Sequence, residues 1–308
     1  MKNGAQGFRQ RRGSSLPQGL SPKDFKGLYV PVFTCFQRDE QQSLQLEYIN
    51  DYAAWLKKNG IKGVLVNSTI GEGPALGLVE RKLNAEAWSR SCKKHSLIML
   101  LQIGGAPLPD VLDLARHAND LFIHGVLCIP ELFYTPNKLE QLIGYCKIVA
   151  KKCENHSFFY YHLPKYTNVD FDMEEFCRRA ESAIPNFAGL KFSQSELISA
   201  AKCLAEHRTI LLGDSKMLAS GMLLGFKTAI MTVANMEPVL MGEIYNAMIS
   251  RDLRTARRLQ NYLNQLIRGH VTKGKESWVA DMKKWFHDKM LSDDGCHIHV
   301  GEPRKLFS

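Results

Sequence analysis

The chain has 308 residues, 45% of them apolar and 23% charged, with a formal net charge of +9. That composition supplies one sizeable core and excludes a low-complexity or disordered chain. No apolar run reaches the roughly 18 residues of a membrane span or has the form of a secretory signal. No basic stripe interleaved with aromatics argues for nucleic acid.

Residues 1–23 carry Lys2, Arg9, Arg11, Arg12 and Lys23 and no acid, so the remaining chain holds only +4. This segment reads as a disordered basic tail. Its charge resembles a transit peptide, but it lacks an amphipathic period.

Eight short apolar runs follow: GLYVPVFT from Gly27, GVLVNST from Gly63, IMLLQIGG from Ile98, GVLCIP from Gly125, FFYYHLP from Phe158, AGLKFS from Ala188, ILLG from Ile210 and TAIMTV from Thr228. Each is nearly continuous rather than alternating, as in parallel strands covered on both faces. Helical periods separate many of them, at Leu46–Leu56, Val111–Ala118, Leu139–Cys146 and Met173–Cys177, with shorter apolar stretches at Ser195–Leu204 and Lys216–Leu224. Asp172 and Asp110 read as helix starts. The alternation predicts an α/β fold, a TIM (β/α)8 barrel over residues 24–235. An open doubly wound sheet is the competing architecture, but no GxGxxG turn follows the first run. Three more helical stretches, near 237–249, 252–268 and 275–291, predict a C-terminal helical extension over 236–308.

Eight cysteines are scattered without a CxxC pair, which suggests reduced thiols in the cytoplasm. Cys296, His297 and His299 lack a partner cluster that would complete a metal site. No metal or other cofactor is expected.

Parallel barrels carry their chemistry at the C-terminal strand ends. Run two ends in Asn67-Ser68-Thr69-Ile70-Gly71-Glu72-Gly73, run five in Tyr160-Tyr161-His162-Leu163-Pro164, and run six in Lys191-Phe192-Ser193. Lys191 stands where the apolar pattern asks for Leu or Val. Desolvation would lower its pKa and free a nucleophilic amine for imine formation. The competing reading is a lysine that extends its ammonium out to water. Tyr161 is a candidate proton shuttle, with Thr69 as its hydrogen-bond partner. Alternation along the strand leaves Tyr160 to ordinary packing. The amides following Thr69 could cradle a carboxylate.

NSTIGEG, YYHLP and GLKFS, in that order and spacing, resemble the N-acetylneuraminate lyase and dihydrodipicolinate synthase superfamily. The resemblance extends from about Lys26 to Leu306 and is nearest to the animal N-acetylneuraminate lyases, whose ending VGEPRKL also resembles. In the synthase branch an arginine stands at the position of Tyr166. The resemblance implies a pyruvate-dependent, Schiff-base (class I) aldolase that splits N-acetylneuraminate into N-acetylmannosamine and pyruvate. Lys191 would form the imine, Tyr161 would move the proton, and Thr69 with the backbone of Ile70 would bind the carboxylate. Ser193, Gly213, Ser215, Lys216 and Thr232 fall at substrate-binding positions. A homotetramer acting on a small keto-acid or sugar substrate is also implied.

Several positions depart from the family pattern. Ile70 replaces a hydroxyl residue. Ser215 and Lys216 stand where the lyases carry an Asp-Glu pair for the sugar, with Asp214 as a substitute acceptor. Met231-Thr232 replaces a Gly-Ser pair, and Met231 is expected to fill sugar space. The phenol that a neighbouring subunit lends in many members aligns near Leu132, with Tyr134 offset. The pyruvate half is thus retained and the sugar half rebuilt. That leaves open an aldolase for another 2-keto-3-deoxy acid, or a barrel that only binds keto acids or a partner.

Overall fold

A computed structural model describes residues 20–271, 278–292 and 297–305. Eight parallel strands close into a barrel in chain order. They are β1 (Gly27–Pro31), β2 (Gly63–Val66), β3 (Ile98–Gln102), β4 (Gly125–Cys128), β5 (Ser157–His162), β6 (Phe187–Phe192), β7 (Thr209–Leu212) and β8 (Thr228–Ile230). β1 pairs with both β2 and β8, so no sheet edge is left open. The helices are α1 (Ile49–Lys58), α2 (Leu78–His95), α3 (Leu108–Ala118), α4 (Leu139–Ala150), α5 (Pro164–Thr167), α6 (Met173–Ala183), α7 (Leu197–Lys202), α8 (Leu218–Leu223), α9 (Pro238–Ile249), α10 (Leu253–His270) and α11 (Trp278–Ser292).

Strand alternation divides the core into two. Tyr29, Leu65, Leu100, Leu127, Phe159, Leu211 and Ile230 fill the barrel interior. Val30, Val64, Leu101, Val126, Phe158, Tyr160, Leu190 and Leu212 face the helices. Both faces are dry, which is why the runs lack a polar alternation.

The structure differs from the sequence reading in four places. Leu20 already packs on the barrel interior, and Phe25 meets Phe159 edge-on at 5.3 Å. Ser157 Oγ donates to the Leu20 carbonyl at 3.1 Å, so these residues close the barrel floor. The rest of the predicted tail, residues 1–19, lies outside the described residues.

Second, α2 was not foreseen, although it runs 18 residues. Its buried side includes Arg81, Asn84, Ser89 and Ser91, so no apolar stripe marks it. Third, α9 packs on β1 and α8 in the place of the eighth barrel helix, which leaves α10 and α11 as the added layer. Fourth, Asp110 is inside α3, which starts two residues earlier after Pro107. Asp172 does cap α6, accepting from the amides of Glu174 and Glu175.

The seven described cysteines are free and buried, and Cys296 lies outside the described residues. No helix among the described residues is long and apolar enough to cross a membrane.

Candidate active site

The parallel register sets Tyr161 of β5 directly beside Lys191 of β6. Both fall on the inward face, because Phe159 on β5 already points inward and side chains alternate. The Lys191 Nζ sits 3.8 Å from the centroid of the Tyr161 ring and donates to Ser193 Oγ at 3.0 Å. Lys191 is 4% exposed. Burial holds its amine below the ordinary lysine range, opposed in part by Tyr161. Tyr161 is equally enclosed, and its hydroxyl lies 3.1 Å from Thr69 Oγ1. Tyr160 faces the other way and packs on Phe176, with 4.8 Å between ring centroids.

Thr69 sits in the turn that follows β2. Asn67 opens that turn in a left-handed conformation, φ 56°. Its side-chain amide donates to the Arg81 carbonyl at 3.0 Å, and Asn84 donates to its oxygen at 2.7 Å. The polar side of α2 therefore anchors the turn. Thr34 holds the far end by donating to the Gly71 carbonyl at 2.5 Å. No acceptor among the described residues takes the amide hydrogens of Thr69 and Ile70. Two such donors close to a buried amine suit a carboxylate. Ile70 contributes its amide and an apolar wall. The buried hydroxyl of Ser68, not singled out from sequence, also has no partner among the described residues and stands beside them.

A cavity of about 280 Å³ opens above the amine. It is lined by Ser193, Gly213, Ser215, Lys216 and Thr232, all candidates from the sequence. A side chain at Gly213 would come within 2.4 Å of Ser193 Oγ, so glycine there leaves room for the hydroxyl that meets Lys191. Asp214 also lines the cavity, but its carboxylate accepts from the Lys216 amide at 3.0 Å and from Ser195 Oγ at 2.9 Å. Those bonds fix the orientation of the carboxylate that was expected to substitute for the missing acid pair.

The expectation for Met231 is corrected. Ile230 points into the barrel, so Met231 is turned outward, fully buried in the helix-facing core, and does not line the cavity. Alternation could have found this. Lys165, Tyr166, Ile267, Val271 and Trp278 do line it. The last three come from α10, the residue after it and α11. Sequence reading missed them because nothing local marks a distant helix as part of a barrel mouth. Phe133 and Tyr134 lie after β4 with more than four-fifths of their surface exposed, and neither lines the cavity.

His162 follows Tyr161 on the helix-facing side, 1% exposed and 3.6 Å from Asp170. Burial pushes its imidazole down to about 4, with Asp170 opposing. Between that value and the ordinary 6.5 the unfolded chain binds a proton that the folded chain does not. Its contribution is therefore intact above 6.5 and is lost on acidification towards 4, by roughly 3 kcal/mol. Urea unfolding at pH 7 and pH 4.5 should show a smaller acid loss in His162→Asn than in the unmodified protein. Equal losses would contradict this account.

A closed parallel barrel with a buried lysine against a tyrosine at its mouth is the arrangement of the Schiff-base aldolases, which are carbon–carbon lyases. The profile of the Dihydrodipicolinate synthetase family matches residues 24–286. The chain belongs to that family. It is 29% identical over 255 residues to the N-acetylneuraminate lyase of Rattus norvegicus, covering 80% of this chain and 79% of the other. With the N-acetylneuraminate lyase of Gallus gallus the identity is 30% over 243 residues, covering 77% and 78%. The structure is similar to that of Proteus mirabilis N-acetylneuraminate lyase, with a TM-score of 0.83, 27% identity and 92% of each chain covered.

Proposed function

We propose that this protein is a pyruvate-dependent lyase that cleaves N-acetylneuraminate to N-acetylmannosamine and pyruvate through an imine on Lys191. The observation that carries this reading is the buried Lys191 amine beside the Tyr161 ring, with the Tyr161 hydroxyl on Thr69. The neutral amine attacks the substrate keto carbon, and water leaves with a proton from Tyr161, which solvent can also supply, giving a protonated imine and leaving Tyr161 ready to accept a proton. Tyr161 takes the proton of the hydroxyl two carbons along. The bond between that hydroxyl-bearing carbon and the carbon next to the imine breaks, the hydroxyl carbon leaves as the aldehyde, and the bonding pair moves towards the imine to give an enamine. Protonation of the enamine and hydrolysis release pyruvate and restore the amine. The Thr69 and Ile70 amides hold the carboxylate throughout, and Ser193 orients the amine.

A second reading is favoured by the far wall, where Lys216 and the apolar Ile267, Val271 and Trp278 stand and the Asp214 carboxylate is engaged. Under it the same imine chemistry serves another 2-keto-3-deoxy acid. Turnover of N-acetylneuraminate against a panel of 2-keto-3-deoxy acids separates the two. The first reading expects the highest kcat/KM on N-acetylneuraminate. A preference of about 100-fold for another acid would replace it with the second.

The cytoplasm is the compartment we assign, supported by the free, buried cysteines. A homotetramer is the assembly we assign, supported by the exposed Phe133 and Tyr134 pair. The ligand is a small keto acid or sugar acid.

A further inference from the structure

A second buried lysine has no part in the chemistry above. Lys283 of α11 has a 3% exposed side chain, and its Nζ lies 2.7 Å from Glu72 Oε1. It also donates to the carbonyls of Thr34, Val300 and Glu302 at 3.1, 3.3 and 3.2 Å, and faces the Phe36 ring at 4.5 Å. The other Glu72 oxygen accepts from the Arg304 amide at 2.7 Å. The Arg304 guanidinium grips Glu80 through two bonds, of 2.6 and 2.7 Å, and reaches the Gln42 carbonyl at 2.9 Å. Gly301, φ 67°, lets this segment cross Phe36, whose carbonyl would lie 2.4 Å from any added side chain.

Glu72 belongs to the turn that presents the Thr69 and Ile70 amides. It is left-handed at φ 55°, and its own amide donates to the Thr69 carbonyl at 3.1 Å. It does not line the cavity. Both of its oxygens are therefore committed to the C-terminal part of the chain, more than 200 residues away in sequence.

We infer that Glu72, Lys283 and the 300–305 segment form a clasp that fixes the carboxylate cradle, making Glu72 and Lys283 positioning residues for the α-keto acid. An unpaired carboxylate cannot stay buried. Removing Lys283 turns Glu72 towards water, and the turn that aims the two amides goes with it. Imine chemistry at Lys191 does not need this turn, but selection of a ketone that bears a carboxylate does. The inference rests on the imine reading above.

The test compares borohydride trapping of pyruvate with that of acetone, a ketone without a carboxylate, in the full-length protein. In Lys283→Met the subsaturating pyruvate rate is expected to fall about tenfold or more, with acetone trapping changed less than about twofold. The KM for the keto acid should rise more than kcat falls. Glu72→Gln keeps the shape and loses the charge. It should shift the ratio in the same direction, and it carries the test if Lys283→Met does not fold. An unchanged ratio, or an equal fall with both ketones, overturns the clasp while leaving the imine reading standing. Failure of the unmodified protein to trap either ketone overturns both.

Discussion

Lys191→Met is expected to lose roughly 10⁴-fold or more in kcat, because Lys165 and Lys216, which also line the cavity, are exposed and cannot replace a desolvated amine as nucleophile. Methionine matches the length of the aliphatic stem and suits a buried site, so folding should be retained. Lysine is costly there, since its charged form has lost water and gained Ser193 and the face of Tyr161 in exchange. The melting temperature of the variant should therefore equal or exceed that of the unmodified protein. Steady-state pyruvate release measures the loss, and thermal unfolding provides the control. A variant active within tenfold of the unmodified protein would place the chemistry elsewhere.

Tyr161→Phe is expected to separate the two halves of the reaction. The ring that covers the Lys191 amine remains, so imine formation with pyruvate should persist. The hydroxyl that accepts the substrate proton is lost, so kcat for cleavage should drop about 10²- to 10⁴-fold. Thr69 lies 3.1 Å from that hydroxyl and does not touch Lys191, so Thr69→Val should show a weaker form of the same split. Measuring pyruvate trapping and cleavage on one preparation reads both steps. Loss of trapping in Tyr161→Phe, with cleavage little changed, would contradict both the role of the Tyr161 hydroxyl and an imine on the path to cleavage.

The barrel was legible because its strands are dry on both faces. Continuous apolar runs punctuated by helical periods have few other solutions. Lys191 was legible for the same reason, as a charge in an apolar frame. Alternation then separated Tyr161 from Tyr160, and the same rule applied to Ile230 would have turned Met231 away from the cavity. α2 escaped because its buried face holds Arg81, Asn84, Ser89 and Ser91; the Arg81 carbonyl and Asn84 hold the turn after β2, and Ser89 accepts from the Phe122 amide. The clasp escaped because Glu72 and Lys283 meet only after the whole barrel has closed. A lone glutamate in a glycine turn and a lone lysine in an amphipathic helix look like solvated charges. Asp214 was legible as an acceptor, but not as one already engaged by Ser195 and by the Lys216 amide.

The central claim is a covalent bond between one amine and a keto acid. Borohydride reduction in the presence of pyruvate, followed by peptide mass spectrometry, tests it most directly. The account predicts a carboxyethyl adduct on the peptide that contains Lys191, absent without pyruvate and absent from Lys191→Met. An unmodified Lys191 peptide under conditions that exhaust the ketone, or an adduct confined to another lysine, would contradict it.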